Sequence, residues 1–241
     1  MVYIIPSVIM YLLLLNIYCF SRERAKFKSA FYKIFTIQSI ASIFSSVAFE
    51  LCVRLPPAPA ATPLLKLLPW QGPVPTVMLV ICYHVNAVLF ICEGIISFNR
   101  ATAIFLGREF DEFWEKAMKY VYAIVIVLPN VVTFSLWYQH VTIDYLDPSN
   151  PEGGLSWDKR IVDPLTRIIT TVNLFVLFAA ICGWTIVWNV YTFYFITYRH
   201  KKGASYSTQL NKGDVKLSFF CFNICVLHIL TVIMTVSHQN E

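Results

Sequence analysis

Residues Pro75–Phe105 form an apolar run long enough to cross a bilayer, which takes about 20 residues. One carboxylate, Glu93, lies inside it, and the run ends in Ser97-Phe98-Asn99-Arg100-Ala101-Thr102. Residues seven apart on a helix nearly eclipse one another. Asn86, Glu93 and Arg100 are spaced by seven, and Ser97 follows Glu93 by four, so one polar seam runs down this helix and finishes on an arginine. A lipid-facing helix does not tolerate such a seam, so it must face other helices or water. The rest of the chain is what surrounds it.

Of the 241 residues, 57% are hydrophobic and only 14% charged, against roughly 25% charged in an ordinary soluble domain. This composition specifies an all-α membrane protein. The apolar runs predict six spans, at about 2–20, 31–52, 75–98, 120–140, 165–198 and 217–236, in a single bundle covering residues 1–241. The first has no basic start and no small-residue cleavage site, and reads as a retained anchor. Between spans two and three, Arg54-Leu-Pro-Pro-Ala-Pro-Ala-Ala-Thr-Pro63 predicts an extended loop, and Trp70 an interfacial anchor. After span three, residues 107–116 mix both charge signs with aromatics and predict a short amphipathic helix at the interface. Pro129 in span four frees a backbone carbonyl for Asn130 or a neighbouring helix to satisfy. Residues 140–164 predict a polar loop with a turn at Asn150-Pro-Glu-Gly-Gly154.

Orientation follows from the basic residues. The segments 21–29, 99–119 and 197–216 hold thirteen Lys and Arg, whereas 53–73 and 139–164 hold four. The positive-inside rule places the first set in the cytoplasm and the N-terminus outside. The net charge of +5 is explained by these loops and calls for no nucleic-acid partner. Seven cysteines are scattered without a C-x-x-C pair, mostly in apolar runs, and read as small buried hydrophobes rather than metal or redox groups. No metal site, no cofactor and no catalytic constellation is expected: there is no H-E-x-x-H helix, and the embedded polar groups are single and dispersed. A channel or transporter is disfavoured by the lack of a carbonyl-filter sequence, of a row of pore charges and of an inverted repeat.

Ile95-Ile-Ser-Phe-Asn-Arg-Ala-Thr-Ala-Ile104, followed by aromatics and Trp114-Glu-Lys116, resembles the nematode serpentine receptors of the gamma class, Srg, in which a Leu/Ser-rich third helix ends in Asn-Arg-x-Thr. The resemblance implies a rhodopsin-like serpentine bundle in the plasma membrane. It also implies a chemosensory function, with an external small-molecule or peptide ligand and a heterotrimeric G protein as cytoplasmic partner. Asn99-Arg100 then takes the place of the Asp/Glu-Arg-Tyr step of rhodopsin-like receptors. Such receptors have seven helices, and this chain is expected to lack the seventh, which leaves a truncated, non-signalling or accessory subunit as the alternative. Segment 139–164 contains no cysteine, so the disulfide that commonly ties it to span three is not expected.

Glu93, Ser97, Asn99 and Arg100 are the expected coupling residues. Glu93 lies about 10 Å from Arg100 along a helix, in the cytoplasmic half of the span. It reads either as a protonation-sensitive switch or as a neutral, hydrogen-bonded structural carboxyl, the form that burial favours. Arg100 either snorkels to the headgroups or holds an acidic or carbonyl partner that it releases on activation. An outward pocket would be lined by His84, Asn86, Trp137, Thr170, Asn173 and His228. Each of these taken singly is more often a packing or helix–helix contact.

Overall fold

The computed structural model describes residues 4–20, 29–69, 72–138, 141–158 and 164–201. Helix α1 is Ile4–Phe20 and α2 is Ala30–Phe49, which runs on through a π-helical turn, Glu50–Arg54. A 3-10 turn, Pro59–Ala61, leads into the short α3, Thr62–Leu65. The long α4 covers Pro73–Leu106, α5 covers Phe110–Thr133, and α6 covers Pro164–Lys201. Between α5 and α6 an antiparallel hairpin pairs β1, Thr142–Tyr145, with β2, Leu155–Asp158. Span 217–236, the basic segments 21–28 and 202–216, and Trp70 lie outside the described residues.

Three described stretches are long and apolar enough to cross a bilayer: Ala30–Arg54, Pro73–Tyr138, which takes in α4 and α5, and Phe175–Phe195. Helix α4 is the centre. Helices α2, α5 and α6 all pack on it, and its buried residues include Ile91, Cys92, Ile96, Ser97 and Asn99. Prolines at its first turn cost no hydrogen bond, because those N–H groups have no helical acceptor. At 34 residues it is about 51 Å long, against a hydrocarbon core of about 30 Å, so both ends project beyond it. It stops at Gly107, whose φ of +52° lies in the left-handed region where a side chain is disfavoured. The main core joins Ala30 and Ile34 of α2, Ile91, Cys92 and Ile96 of α4, and Trp114, Met118, Val121 and Val125 of α5. Outward, Ile126, Val131 and Phe175 are exposed, as lipid-facing side chains must be.

Four expectations change. Residues 110–116 are not a separate interfacial helix but the first turns of α5. Trp114, Met118, Val121 and Val125 form one stripe at helical spacing on one core, so nothing interrupts the helix. The charges that suggested an interface helix are its exposed side, where Lys116 pairs with Glu112 at 2.7 Å. The proline-rich segment is not extended throughout, since Pro59 and Pro63 occupy first-turn positions of short helices, where proline is tolerated. Asn130 does not take the carbonyl that Pro129 frees, that of Val125. Its Nδ2 donates to Ile126 O at 2.7 Å. The polar loop 140–164 is largely the β1–β2 hairpin, packed through Ile143 and Leu155 onto Ala61 and Leu65. The backbone N–H of Leu155 donates to Pro56 O at 2.7 Å, and Gly154, with φ +115°, lies so close to Pro57 that a Cβ there would sit 2.6 Å from its carbonyl oxygen.

Candidate functional site

The seam on α4 meets α2, and the two helices run antiparallel. Three hydroxyls of α2 are spent within the helix: Thr36, Ser39 and Ser46 each donate to the carbonyl four residues back, at 2.8 Å. Ser45 instead donates across to Asn86 Oδ1 at 2.9 Å, while Asn86 Nδ2 donates to Cys82 O at 2.9 Å. Fourteen residues further along α4, and fourteen back along α2, the Arg100 guanidinium lies 5.4 Å from the centre of the Phe31 ring. That is within cation–π range. Midway between these two contacts, seven residues from each on either helix, stand Gln38 and Glu93, both half-buried. The α2 half of this register, a heptad through Phe31, Gln38 and Ser45, is legible in the sequence only once the α4 heptad is set against it.

The C-terminal end of α4 is fixed to α5 and α6 by different chemistry. Thr102 Oγ1 donates back to the carbonyls of Phe98 and Asn99, at 3.0 and 2.9 Å, and accepts the Trp114 Nε1–H at 2.8 Å. Trp114 is 2% exposed, so without this acceptor its N–H would be buried and orphaned. Phe98 packs against Trp114, Trp184 and Trp188, at ring-centre distances of 5.8, 5.6 and 4.9 Å, and Phe105 against Tyr191 and Phe195 at 4.7 and 4.8 Å. The threonine of Asn-Arg-x-Thr and the tryptophan of Trp-Glu-Lys are thus two halves of one buried hydrogen bond. The family described as Srg family chemoreceptor matches residues 1–240. The chain belongs to the Srg chemoreceptors. No individually curated protein matches it.

Membership makes this Srg chain an all-α, multi-pass membrane protein and a serpentine chemosensory receptor. Of the four residues expected from the sequence to couple, Arg100 meets α2 and Glu93 stands at the middle of the same seam. Ser97 and Asn99 are buried, 4% and 2% exposed, and Ser97 Oγ and Asn99 Nδ2 have no hydrogen-bond partner among the described residues. Trp188 Nε1 and Asn189 Nδ2 on α6 are in the same condition.

The pocket candidates whose side chains are described do not come together. His84 turns to α5, its Nδ1 3.3 Å from Thr133 Oγ1, whereas Asn86 turns to α2. Trp137 and Asn173 are exposed. Thr170 lies in the second turn of α6, and His228 lies outside the described residues. Among the described residues no group of His, Cys, Asp and Glu is arranged to hold a metal. Sequence reasoning missed Phe31 and Ser45 and the aromatic contacts of Phe98 and Phe105, because each depends on which helix lies opposite.

Proposed function

We propose that this chain, acting as one bundle over residues 1–241, is a plasma-membrane receptor with its N-terminus outside. It binds an external small molecule or peptide and signals to a heterotrimeric G protein through the cytoplasmic ends of its helices. The observation that carries this reading is the α2–α4 seam in a chain of the Srg family. One rigid helix holds a polar contact at Asn86 and a cationic one at Arg100, about 21 Å apart along its axis. The excess of Lys and Arg in segments 21–29, 99–119 and 197–216 supports Arg100 as the inner end.

In this mechanism the resting packing keeps Arg100 over Phe31, an interaction worth about 2 kcal/mol where it is desolvated. A ligand reaching the outer thirds of α4 and its neighbours favours a second packing, in which α4 shifts against α2. Arg100 then leaves the ring and becomes available to an acidic or carbonyl group of the G protein. Ser97 and Asn99, with hydrogen-bonding capacity unspent at the same level, acquire partners in that second packing. Turning a 1:99 mixture of packings into 99:1 takes about 5.5 kcal/mol of differential ligand binding. Glu93 at mid-seam sets the balance between the packings, and His84 and Asn86 are the ligand-side residues of α4.

The test is a reporter cell carrying the full chain and a promiscuous G protein, exposed to a panel of volatile and water-soluble compounds. A receptor gives a response to at least one of them that Arg100→Ala abolishes at unchanged surface expression and Arg100→Lys partly retains. A response that survives Arg100→Ala removes the arginine from the mechanism. A surface-expressed chain that drives no G-protein signal, stimulated or basal, contradicts the reading.

A further inference from the structure

The outer end of the α2–α4 seam terminates on two thiols. Cys52 lies in the π-helical turn that prolongs α2, on the side that meets α4. Cys82 lies in the third turn of α4, four residues before Asn86. Both are buried, 4% and 8% exposed, and pack in one cluster. Cys52 Sγ also donates to Met78 O at 3.5 Å, and Cys82 Sγ lies 4.0 Å from Asn86 Nδ2. Ala48 and Met78 pack with the pair. Of the other cysteines in the described helices, Cys92 is ten residues further along α4, about 15 Å away in the main core, Cys182 is on α6 and Cys19 is on α1.

We propose that Cys52 and Cys82 are an oxidation site that closes into a disulfide joining α2 to α4 as the chain matures. The proposal rests on the N-outside orientation, which puts this end of the seam on the oxidising side of the membrane. The co-reactant is a secretory-compartment dithiol–disulfide oxidoreductase. Its disulfide accepts two electrons and two protons and leaves as the dithiol, while two S–H bonds break in the receptor and one S–S bond forms. Earlier in folding, before the pair is enclosed, both thiols are open to that exchange. The hairpin segment 139–164 has no cysteine, so this staple does for the α2–α4 pair what a loop disulfide cannot do here. With the outer ends tied, any shift of α4 against α2 becomes a swing of the inner end, where Arg100 meets Phe31.

The test takes the full chain from eukaryotic membranes quenched with acid, alkylated with N-ethylmaleimide under denaturing conditions and digested with trypsin. Arg54 and Lys66 lie between the two cysteines, so cleavage separates them unless a bond holds the fragments together. The expected result is a linked pair of peptides, 34–54 with 67–100, in most of the chain, resolved by dithiothreitol and absent from Cys82→Ser. Peptide 67–100 also carries Cys92, so Cys92→Ser must leave the linked species unchanged. Wild-type chain in which Cys52 and Cys82 are both alkylated without reduction overturns the proposal, whatever the variants do. A glycosylation tag at the N-terminus, read on the same sample, separates the causes. A glycosylated tag with reduced thiols refutes the disulfide alone, and an unglycosylated tag refutes the orientation it depends on.

Discussion

Thr102 and Trp114 form the contact at the C-terminal end of α4 with the plainest energetics. The indole N–H is buried and its acceptor is a hydroxyl that already donates to its own helix. Thr102→Val keeps the shape and removes the acceptor, so it should cost about 1–3 kcal/mol and lower the melting temperature of the purified receptor in detergent, while Thr102→Ser retains most of the stability. Ser45 and Asn86 are a different case, because interhelical hydrogen bonds in membranes average about 0.6 kcal/mol. A double-mutant cycle of Ser45→Ala and Asn86→Ala should return a coupling of that size, and additive losses would mean that the bond is idle. In the hairpin turn, Asp147 accepts the Ser149 backbone N–H at 2.9 Å and the Ser149 hydroxyl at 2.6 Å, which hold its carboxyl below its ordinary value of 3.8. A depressed folded-state value means that the turn is favoured above pH 3.8 and released as pH falls through the lower value. The Ser149 amide resonance should therefore titrate below pH 3.8, and an amide that does not move with pH would contradict the contact.

At the scale of elements, the hairpin is held over the chain's proline-rich segment by close contacts. A Cβ at Gly154 would meet Pro57 backbone at 2.6 Å in a conformation that already disfavours a side chain. Gly154→Ala should free β1 and β2 from Ala61 and Leu65 and bring rapid proteolysis within 146–154, with the helices intact. Protease resistance equal to wild type would show that the hairpin is not anchored there. This element was hidden in the sequence, where its strands are only four residues each and its acidic, glycine-containing turn reads as loop. The long helices were legible, since a run such as Pro75–Phe105 admits few other structures in a bilayer. Where helix α5 begins was misread for a physical reason: one stripe of the helix is charged and projects from the core, the other carries Trp114 and Met118 into it, and amphipathic composition alone does not separate that from an interfacial helix. The heptad Asn86, Glu93, Arg100 was likewise visible, but the groups that answer it, Ser45 and Phe31, sit on α2 and become apparent only when the antiparallel register is known.

For the whole molecule, the helices around α4 are joined to it by unlike contacts: polar and cationic with α2, hydrogen-bonded and apolar with α5, aromatic with α6. The α2 contact is the one whose two ends differ in kind, and in the proposed mechanism it carries the signal. Membership in the Srg chemoreceptors makes this a sensory membrane protein, and the route from an outer contact to an inner one along the seam is the proposal to be tested. The most direct measurement is nucleotide exchange on a purified heterotrimeric G protein, with the full chain reconstituted in lipid nanodiscs. A receptor that couples through Arg100 accelerates exchange over empty discs and loses that acceleration in Arg100→Ala. Exchange at the empty-disc rate, by wild-type chain that is folded by its thermal melt and challenged with the compound panel, contradicts it.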